Sequence, residues 1–313
     1  MRITLGLHVG PQECSYEELR RIWRMAEAGG MGWISVWDHH YETPPRDGSG
    51  RVYETVAALT ALALETQRVR IGCLVFCPLY RNPALLAKVA VTVDHMSGGR
   101  MEMGLGACWH EMESRAFGYE FPPIGAREDM LEEAIQIVRG MLEQGEVTFG
   151  GRYFRMERAK CFPRPVRGRI PIWVGGGGER RTLRTAVRYA DGWNVGYVSP
   201  DVFRRKADVV RQWCEREGRD PTQLRNSVNV GFYVGVTEAE ARRKVEVAQQ
   251  DFGGLFESFR DGLLVGTPME AAERIAQYAE AGAEQVNVVL RAPFDWEAFE
   301  AFLQEVVPIF QRT

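Results

Sequence analysis

The sequence predicts a single (β/α)8 barrel, a TIM-barrel fold, over residues 1–313. Three observations predict it: eight strand-like segments alternate with helix-like ones, no hairpin-rich region breaks the alternation, and reactive residues gather where strands end. Such alternation argues for parallel β/α units, and eight of them suit a closed barrel better than an open sheet. A length rule would divide 313 residues into two domains, yet barrels of roughly 250 residues or more commonly form one.

The elements follow in order. "ITLGLHV" is the first strand, and Ser15 with Glu18 forms a capping box for "YEELRRIWRMAEAGG", ended by Gly29 and Gly30. "GWISVW" is the second strand, with the helix "ETVAALTALALET" beyond a loop. "VRIGCLVF" and "NPALLAKVAVTVDHMS" make the third pair, and "RMEMGLG" and "REDMLEEAIQIVRGMLEQG" the fourth. "IPIWVG" with "ERRTLRTAVRYA", then "GWNVGY" with "DVFRRKADVVRQWCEREG", continue the series. "SVNVGFYVGV" with "EAEARRKVEVAQQ", then "EQVNVVL" with "DWEAFEAFLQEVVPIF", complete it. Two insertions interrupt the rhythm. "EVTFGGRYFRMERAKCFPRPVRG", after helix four, reads as a short β excursion. "DFGGLFESFRDGLLVGTPMEAAERIAQYAEAG", between strands seven and eight, reads as an aromatic wall over the barrel mouth and then an extra helix begun by Thr267 and Pro268.

Composition narrows the function. A net charge of −3 supplies no basic field for nucleic acid or acidic lipid. No apolar run approaches the roughly 20 residues of a membrane span, and "MRITLGLHVG" is not a signal peptide, so a cytoplasmic location is expected. Six cysteines (Cys14, Cys73, Cys77, Cys108, Cys161, Cys214) contain no C-x-x-C pair, which indicates neither a zinc knuckle nor a disulfide scaffold. Cys73 and Cys77 read as small buried residues. Only 4 of the 39 basic residues are lysines, a bias read first as base composition and second as anion binding.

Chemistry in such barrels sits at the C-terminal ends of strands. His8 ends strand one, "WDHH" with Asp38, His39 and His40 ends strand two, and "GLGACWHEMES" ends strand four with Gly104, Gly106, Cys108, Trp109, His110 and Glu111. His95 lies at a helix end and reads as a cap or packing residue. The sharpest local signal is "WVGGGGERRTLR", in which a strand ends, Gly175, Gly176, Gly177 and Gly178 follow, and a helix begins. Backbone without Cβ atoms turns tightly and presents N–H groups, and a helix N-terminus adds about half a positive charge. That makes an anion site, normally for phosphate, with Arg180 or Arg181 to complete it and Glu179 suited to the helix dipole. It is neither a Walker loop nor G-x-G-x-x-G. Strands five to eight end without a histidine or carboxylate of ligand type, which disfavours a metallohydrolase and gives no metal ligands. A histidine acting on protons beside a phosphate-anchored organic cofactor fits better, with Asp38 to orient or charge it.

On these residues the chain resembles the bacterial luciferase-like monooxygenase superfamily, and within it the deazaflavin branch that uses coenzyme F420. "WDHH", "RNPALLAKVAVTVDHMSGGR", "GLGACWHEMESRAFGYEFPP", "GGGGERRTLRTAVRYADGWN" and "VGTPMEAAERI" carry the resemblance in order along nearly the whole chain. It implies a deazaflavin or isoalloxazine ring at the barrel mouth, a cis peptide at Leu74-Val75 backing that ring, and a cofactor phosphate on Gly175 to Gly178 assisted by Arg180. The implied cofactor contacts are Asp38, His39, Leu74, Val75, Gly106, Ala107, Gly175 to Gly178, Glu179 and Arg180. His39 takes the place of the branch's proton donor, with Asp38 its orienter or a ring contact. His8, His40, Cys108, Trp109, His110 and Glu111 are expected around the substrate. Two roles do not carry over: the luciferase-type reactive cysteine aligns with Gly106, and the glutamate of some deazaflavin sugar dehydrogenases aligns with Trp109. Many relatives have Gly at 108 and Asn or Tyr at 110, which marks Cys108 and His110 as specificity features.

The expected function is hydride transfer between F420 and a small, partly apolar organic substrate, with His39 as proton donor or acceptor. The nearest alternative is an FMN-dependent monooxygenase. More distant ones are a metal-dependent hydrolase and a non-catalytic cofactor-binding protein. Apolar helix faces permit a homodimer without requiring one.

Overall fold

The computed structural model describes residues 3–44 and 46–311. The chain runs β1 (Thr4–Val9), α1 (Tyr16–Ala28), β2 (Trp33–Val36), α2 (Thr55–Glu65), β3 (Arg70–Phe76), α3 (Pro83–Met96), β4 (Met101–Gly106), α4 (Glu111–Ala116) and α5 (Ile124–Gln144). It continues with β5 (Glu146–Gly150), β6 (Arg155–Lys160), β7 (Ile172–Gly175), α6 (Thr182–Tyr189), β8 (Gly192–Gly196), α7 (Pro200–Glu217), β9 (Arg225–Val234) and α8 (Glu238–Phe252). The last part holds α9 (Phe256–Phe259), β10 (Leu263–Gly266), α10 (Pro268–Glu280), β11 (Gln285–Leu290), α11 (Trp296–Ala301) and α12 (Val307–Gln311), with one π turn at Phe302–Val306 between the last two.

Eight parallel strands close the barrel in the order β11-β1-β2-β3-β4-β7-β8-β9, and β9 returns to β11. All eight predicted strands are present. The excursion after the fourth β/α unit is the antiparallel pair β5–β6. One strand, β10, was not expected: "LLVG" pairs in parallel with the far half of β9, outside the barrel wall. The helices form where the sequence places their caps. In α1, Ser15 and Glu18 make the capping box, and Leu19, Ile22, Trp23 and Ala26 fall at helical spacing on the buried face. Thr267 with Glu270 starts α10 in the same way.

The N-terminal end of the barrel is plugged. Glu102 accepts from Arg70 at 2.8 Å, Arg225 at 2.8 Å and Trp173 Nε1 at 2.6 Å, so this buried carboxylate is fully partnered. Asn229 accepts from Asn194 at 3.0 Å and Asn287 at 2.9 Å, tying β8, β9 and β11 together inside the barrel. With that end filled, the open end of the barrel is the C-terminal one. Among the described residues no helix is long and apolar enough to cross a membrane.

Two cysteines depart from expectation. Cys77 and Cys108 are joined by a disulfide, with Cα atoms 5.4 Å apart, inside the about 4.4–6.8 Å that such a bond requires. The reason lies in register. Phe76 sits beside Leu105 on the adjacent strands β3 and β4, so residues just beyond them meet although 31 positions separate them in sequence. Cys77 is therefore a bonded residue rather than simple packing, while Cys73 is free and buried.

Candidate active site

A cavity of about 680 Å³ opens at the C-terminal mouth. Its wall includes His8, Asp38, His39, Leu74, Val75, Gly106, Ala107, Cys108, Trp109 and Gly175 to Gly178, residues from five strand ends that the sequence had singled out. His40, His110, Glu111, Glu179 and Arg180 do not line it.

His39 is held by a residue that sequence reading missed. Its Nδ1 lies 2.6 Å from Glu113 Oε1 on α4. The same carboxylate accepts from the Tyr80 hydroxyl and, through Oε2, from the amides of His40 at 2.8 Å and Tyr41 at 3.0 Å. Burial opposes charge on Glu113, but the hydrogen bonds and charge of His39 and the other donors outweigh it and hold the carboxyl down to about 2. An ionised carboxylate only accepts, so Nδ1 carries the proton and Nε2 is the nitrogen left to the cavity. Asp38, expected as the orienter of His39, points elsewhere. It takes Arg81 Nη1 on both oxygens at 2.8 and 2.6 Å and the Cys77 amide at 3.1 Å. A guanidinium directly opposite satisfies that carboxylate, and the imidazole turns to Glu113 instead.

The other histidines divide clearly. His8 bonds Ser35 Oγ at 2.8 Å; burial first, then the charge of Arg291, lowers it to about 3, so it is a neutral wall group. His40 stacks 4.5 Å from both Tyr80 and Phe117 behind Glu113, and burial lowers its proton affinity. His110, expected beside the substrate, is the N-cap of α4 and accepts weakly from the Glu113 amide at 3.4 Å. Glu111 faces out and pairs with Arg115.

The glycines are needed where they stand. Leu74-Val75 is a cis peptide, as expected, and a Cβ at Gly106 or Gly175 would come within 2.4 or 2.6 Å of the Val75 side chain. Gly176 has φ of 134°, a conformation other residues rarely adopt. Its N–H bonds Asn194 O at 2.9 Å, whereas those of Gly177 and Gly178 find no partner among the described residues. The nearby cation is not the expected one. Lys206 Nζ donates to Gly177 O at 2.8 Å and pairs with Glu179 at 3.1 Å, whereas Arg181 turns away to Asp129 and Arg180 is exposed. Beside the turn, Glu128 Oε2 is buried without a partner. Free amides and an unpartnered acceptor along one apolar-walled cavity, with the Lys206 charge behind the turn, fit a large group bearing a phosphate and hydroxyls. Among the described residues, no three His, Cys, Asp or Glu side chains are grouped to hold a metal ion.

Glu113, Lys206, Trp37, Tyr80, Arg81 and Arg291 are site residues that sequence reading did not single out. Lys206 had a signal, being one of 4 lysines in an arginine-rich chain. The signal for Glu113 was the His-x-x-Glu spacing of a helix start.

Comparison with known proteins shows the family and the fold. The family model for luciferase-like monooxygenases matches residues 2–285. An uncharacterised Mycobacterium tuberculosis protein is 32% identical over 149 residues, 48% of this chain and 52% of the relative, so the match spans about half the length of that relative. The F420-dependent glucose-6-phosphate dehydrogenase of Rhodococcus hoagii is 25% identical over 321 residues, 93% of this chain and 92% of the relative. The solved structure of an F420-dependent secondary alcohol dehydrogenase with an F420–acetone adduct superposes with a TM-score of 0.87 at 21% identity, covering 99% of each chain. At that identity it establishes the fold.

Proposed function

Because the chain belongs to the luciferase-like monooxygenase family, we propose that it is an oxidoreductase that holds coenzyme F420 at the barrel mouth and works on a small organic substrate. The observation that carries this reading is the His39–Glu113 pair, 2.6 Å long, set in the wall of a cavity lined by the Gly175 to Gly178 turn. A relative named for F420 aligns along almost the whole chain and supports the choice of cofactor. When bound, F420 supplies or accepts a hydride.

The chain's own residues do the rest. Glu113 fixes the His39 ring with Nδ1 protonated, and Nε2 gives up or takes the proton that accompanies the reaction. Leu74, Val75, Gly106 and Ala107 back the ring, with Asp38 at its edge. The Gly175 to Gly178 turn, with Lys206 close by and Glu179 and Arg180 following, takes the tail phosphate. Trp109, stacked edge-on 5.3 Å from His39, and the aromatic residues of α8 and α9 keep water from the reacting face. Cys108, bonded to Cys77, forms wall on the substrate side.

The alternative is an FMN-dependent monooxygenase, since the same glycine turn suits the phosphate of FMN. Titration of the purified apoprotein with F420 and with FMN, followed by cofactor fluorescence, decides between them. Tighter binding of F420 is the expected result. Tighter FMN binding moves the protein to oxygen chemistry, and binding of neither refutes the glycine-turn assignment.

A further inference from the structure

Arg291 is the first residue after β11, and it forms part of the cavity wall. Its Nε donates to Thr43 O at 3.2 Å and its Nη2 to the Tyr197 hydroxyl at 2.7 Å. Its Nη1 is buried and has no hydrogen-bond partner. The rings of Trp37, Tyr197 and Phe252 surround the guanidinium, with centroids 5.6, 5.6 and 5.5 Å from Cζ. No carboxylate among the described residues pairs with it. Asp251, the acid whose charge it feels, accepts instead from the Tyr233 hydroxyl at 2.8 Å.

Four other guanidinium groups drawn inward among the described residues are matched. Arg81 has Asp38 and Glu54, and Arg70 and Arg225 share Glu102. Arg100 is satisfied by five acceptors, four at the end of α2 and beyond it and one at Ser97 O. Arg291 alone among these leaves a nitrogen unsatisfied, and it does so in the wall of the reaction cavity. A desolvated cation without a counter-ion is costly, and aromatic faces offset only part of that cost. His8 gives no compensation, since it is neutral beside the same charge.

We propose that Arg291 is a specificity-determining residue that binds the carboxylate of the substrate, and that the substrate is a small organic acid with an apolar or aromatic body. This rests on the oxidoreductase reading of the same cavity. One free guanidinium nitrogen suits a singly charged carboxylate better than a phosphate, which calls for several donors. The rings of Trp37, Phe252 and Phe259 supply the apolar surface for the rest of the molecule. Phe252 ends α8, and its ring lies between the guanidinium and Phe259, 5.4 Å from the latter, so the apolar wall is continuous with the charge.

The test measures binding of phenylacetate and 3-phenylpropionate, and of their primary amides, to the F420-saturated protein and to the apoprotein by calorimetry. In the wild type each acid binds at least 10-fold more tightly than its amide. Arg291→Gln removes that preference, Arg291→Lys retains part of it, and neither changes F420 affinity by more than about threefold. Equal binding of acids and amides, or no binding of the acids, overturns the proposal. So does a loss of F420 affinity in either variant with the acid preference intact, which would give Arg291 to the cofactor. Should the Gln variant not fold, the Lys variant and the wild-type ratio still decide. A wild type that prefers the acids but does not bind F420 refutes the F420 reading and leaves the carboxylate site standing.

Discussion

Replacing Glu113 by Gln tests the proton-transfer arrangement at its support. The carboxylate takes four donors, from His39, Tyr80, His40 and Tyr41, and its side chain is entirely shielded from water. Glutamine keeps the shape, but one of its two ends becomes a donor. The amides of His40 and Tyr41 cannot accept, so the new carbonyl must face them and the new NH2 must face His39 and Tyr80. His39 then accepts at Nδ1 and carries its proton on Nε2, the reverse of the wild type. The magnitude follows from the position of the carboxyl, displaced from 4.5 to about 2, which corresponds to about 3 kcal/mol of stability. Because the group is more acidic folded than unfolded, this contribution is complete above about 4.5 and fades as pH falls towards about 2. Urea unfolding near pH 7 should show Glu113→Gln less stable by about 3 kcal/mol, with a narrower gap near pH 3. Long-range proton–nitrogen NMR of the imidazole should show the tautomer reversed. An unchanged tautomer, or a stability gap independent of pH, would refute the reasoning.

Three further outcomes are expected. His39→Ala should keep F420 affinity within about threefold while lowering kcat by at least about 100-fold, and unchanged turnover removes His39 from the mechanism. Gly177→Ala places its Cβ 3.4 Å from Lys206 Cε, an ordinary contact, so the fold should survive while F420 affinity falls by roughly tenfold. Intact affinity in a fluorescence titration would show that the phosphate lies elsewhere. Thiol titration of the denatured, unreduced protein should find four of the six cysteines, and all six after reduction; six before reduction would rule out the Cys77–Cys108 bond.

The barrel was legible because its strands are separated by helices with explicit caps, such as Ser15 with Glu18 and Thr267 with Glu270. The glycine turn was legible because its chemistry is contiguous. What escaped depends on contacts between distant segments. Glu113 reaches His39 across 74 positions, from a helix of six residues too short to show a period. Cys77 and Cys108 meet only through the β3–β4 register. Asp38 was assigned to its sequence neighbour because nothing in "WDHH" announces Arg81, 43 residues on. Arg291 was passed over because the strand ends were searched for acids and histidines rather than for a cation. The β10 strand was hidden in a segment whose glycines and aromatics suggested only a covering loop.

That small strand has a mechanical consequence. β9 serves two sheets in succession, closing the barrel with its first half and holding β10 with its second. The stretch over the mouth, residues 253–262, is thus sutured at both ends, by α8 on one side and by β10 on the other. Its freedom is that of a short bridge rather than a swinging flap. The glycine turn proposed to hold the cofactor tail stands two strands away from β9, on β7 and α6, and shares no element with that bridge. Changes to the bridge can therefore alter which molecules are admitted while the glycine turn stays as it is, so new substrates can be acquired by mutation without rebuilding the machinery that would turn them over.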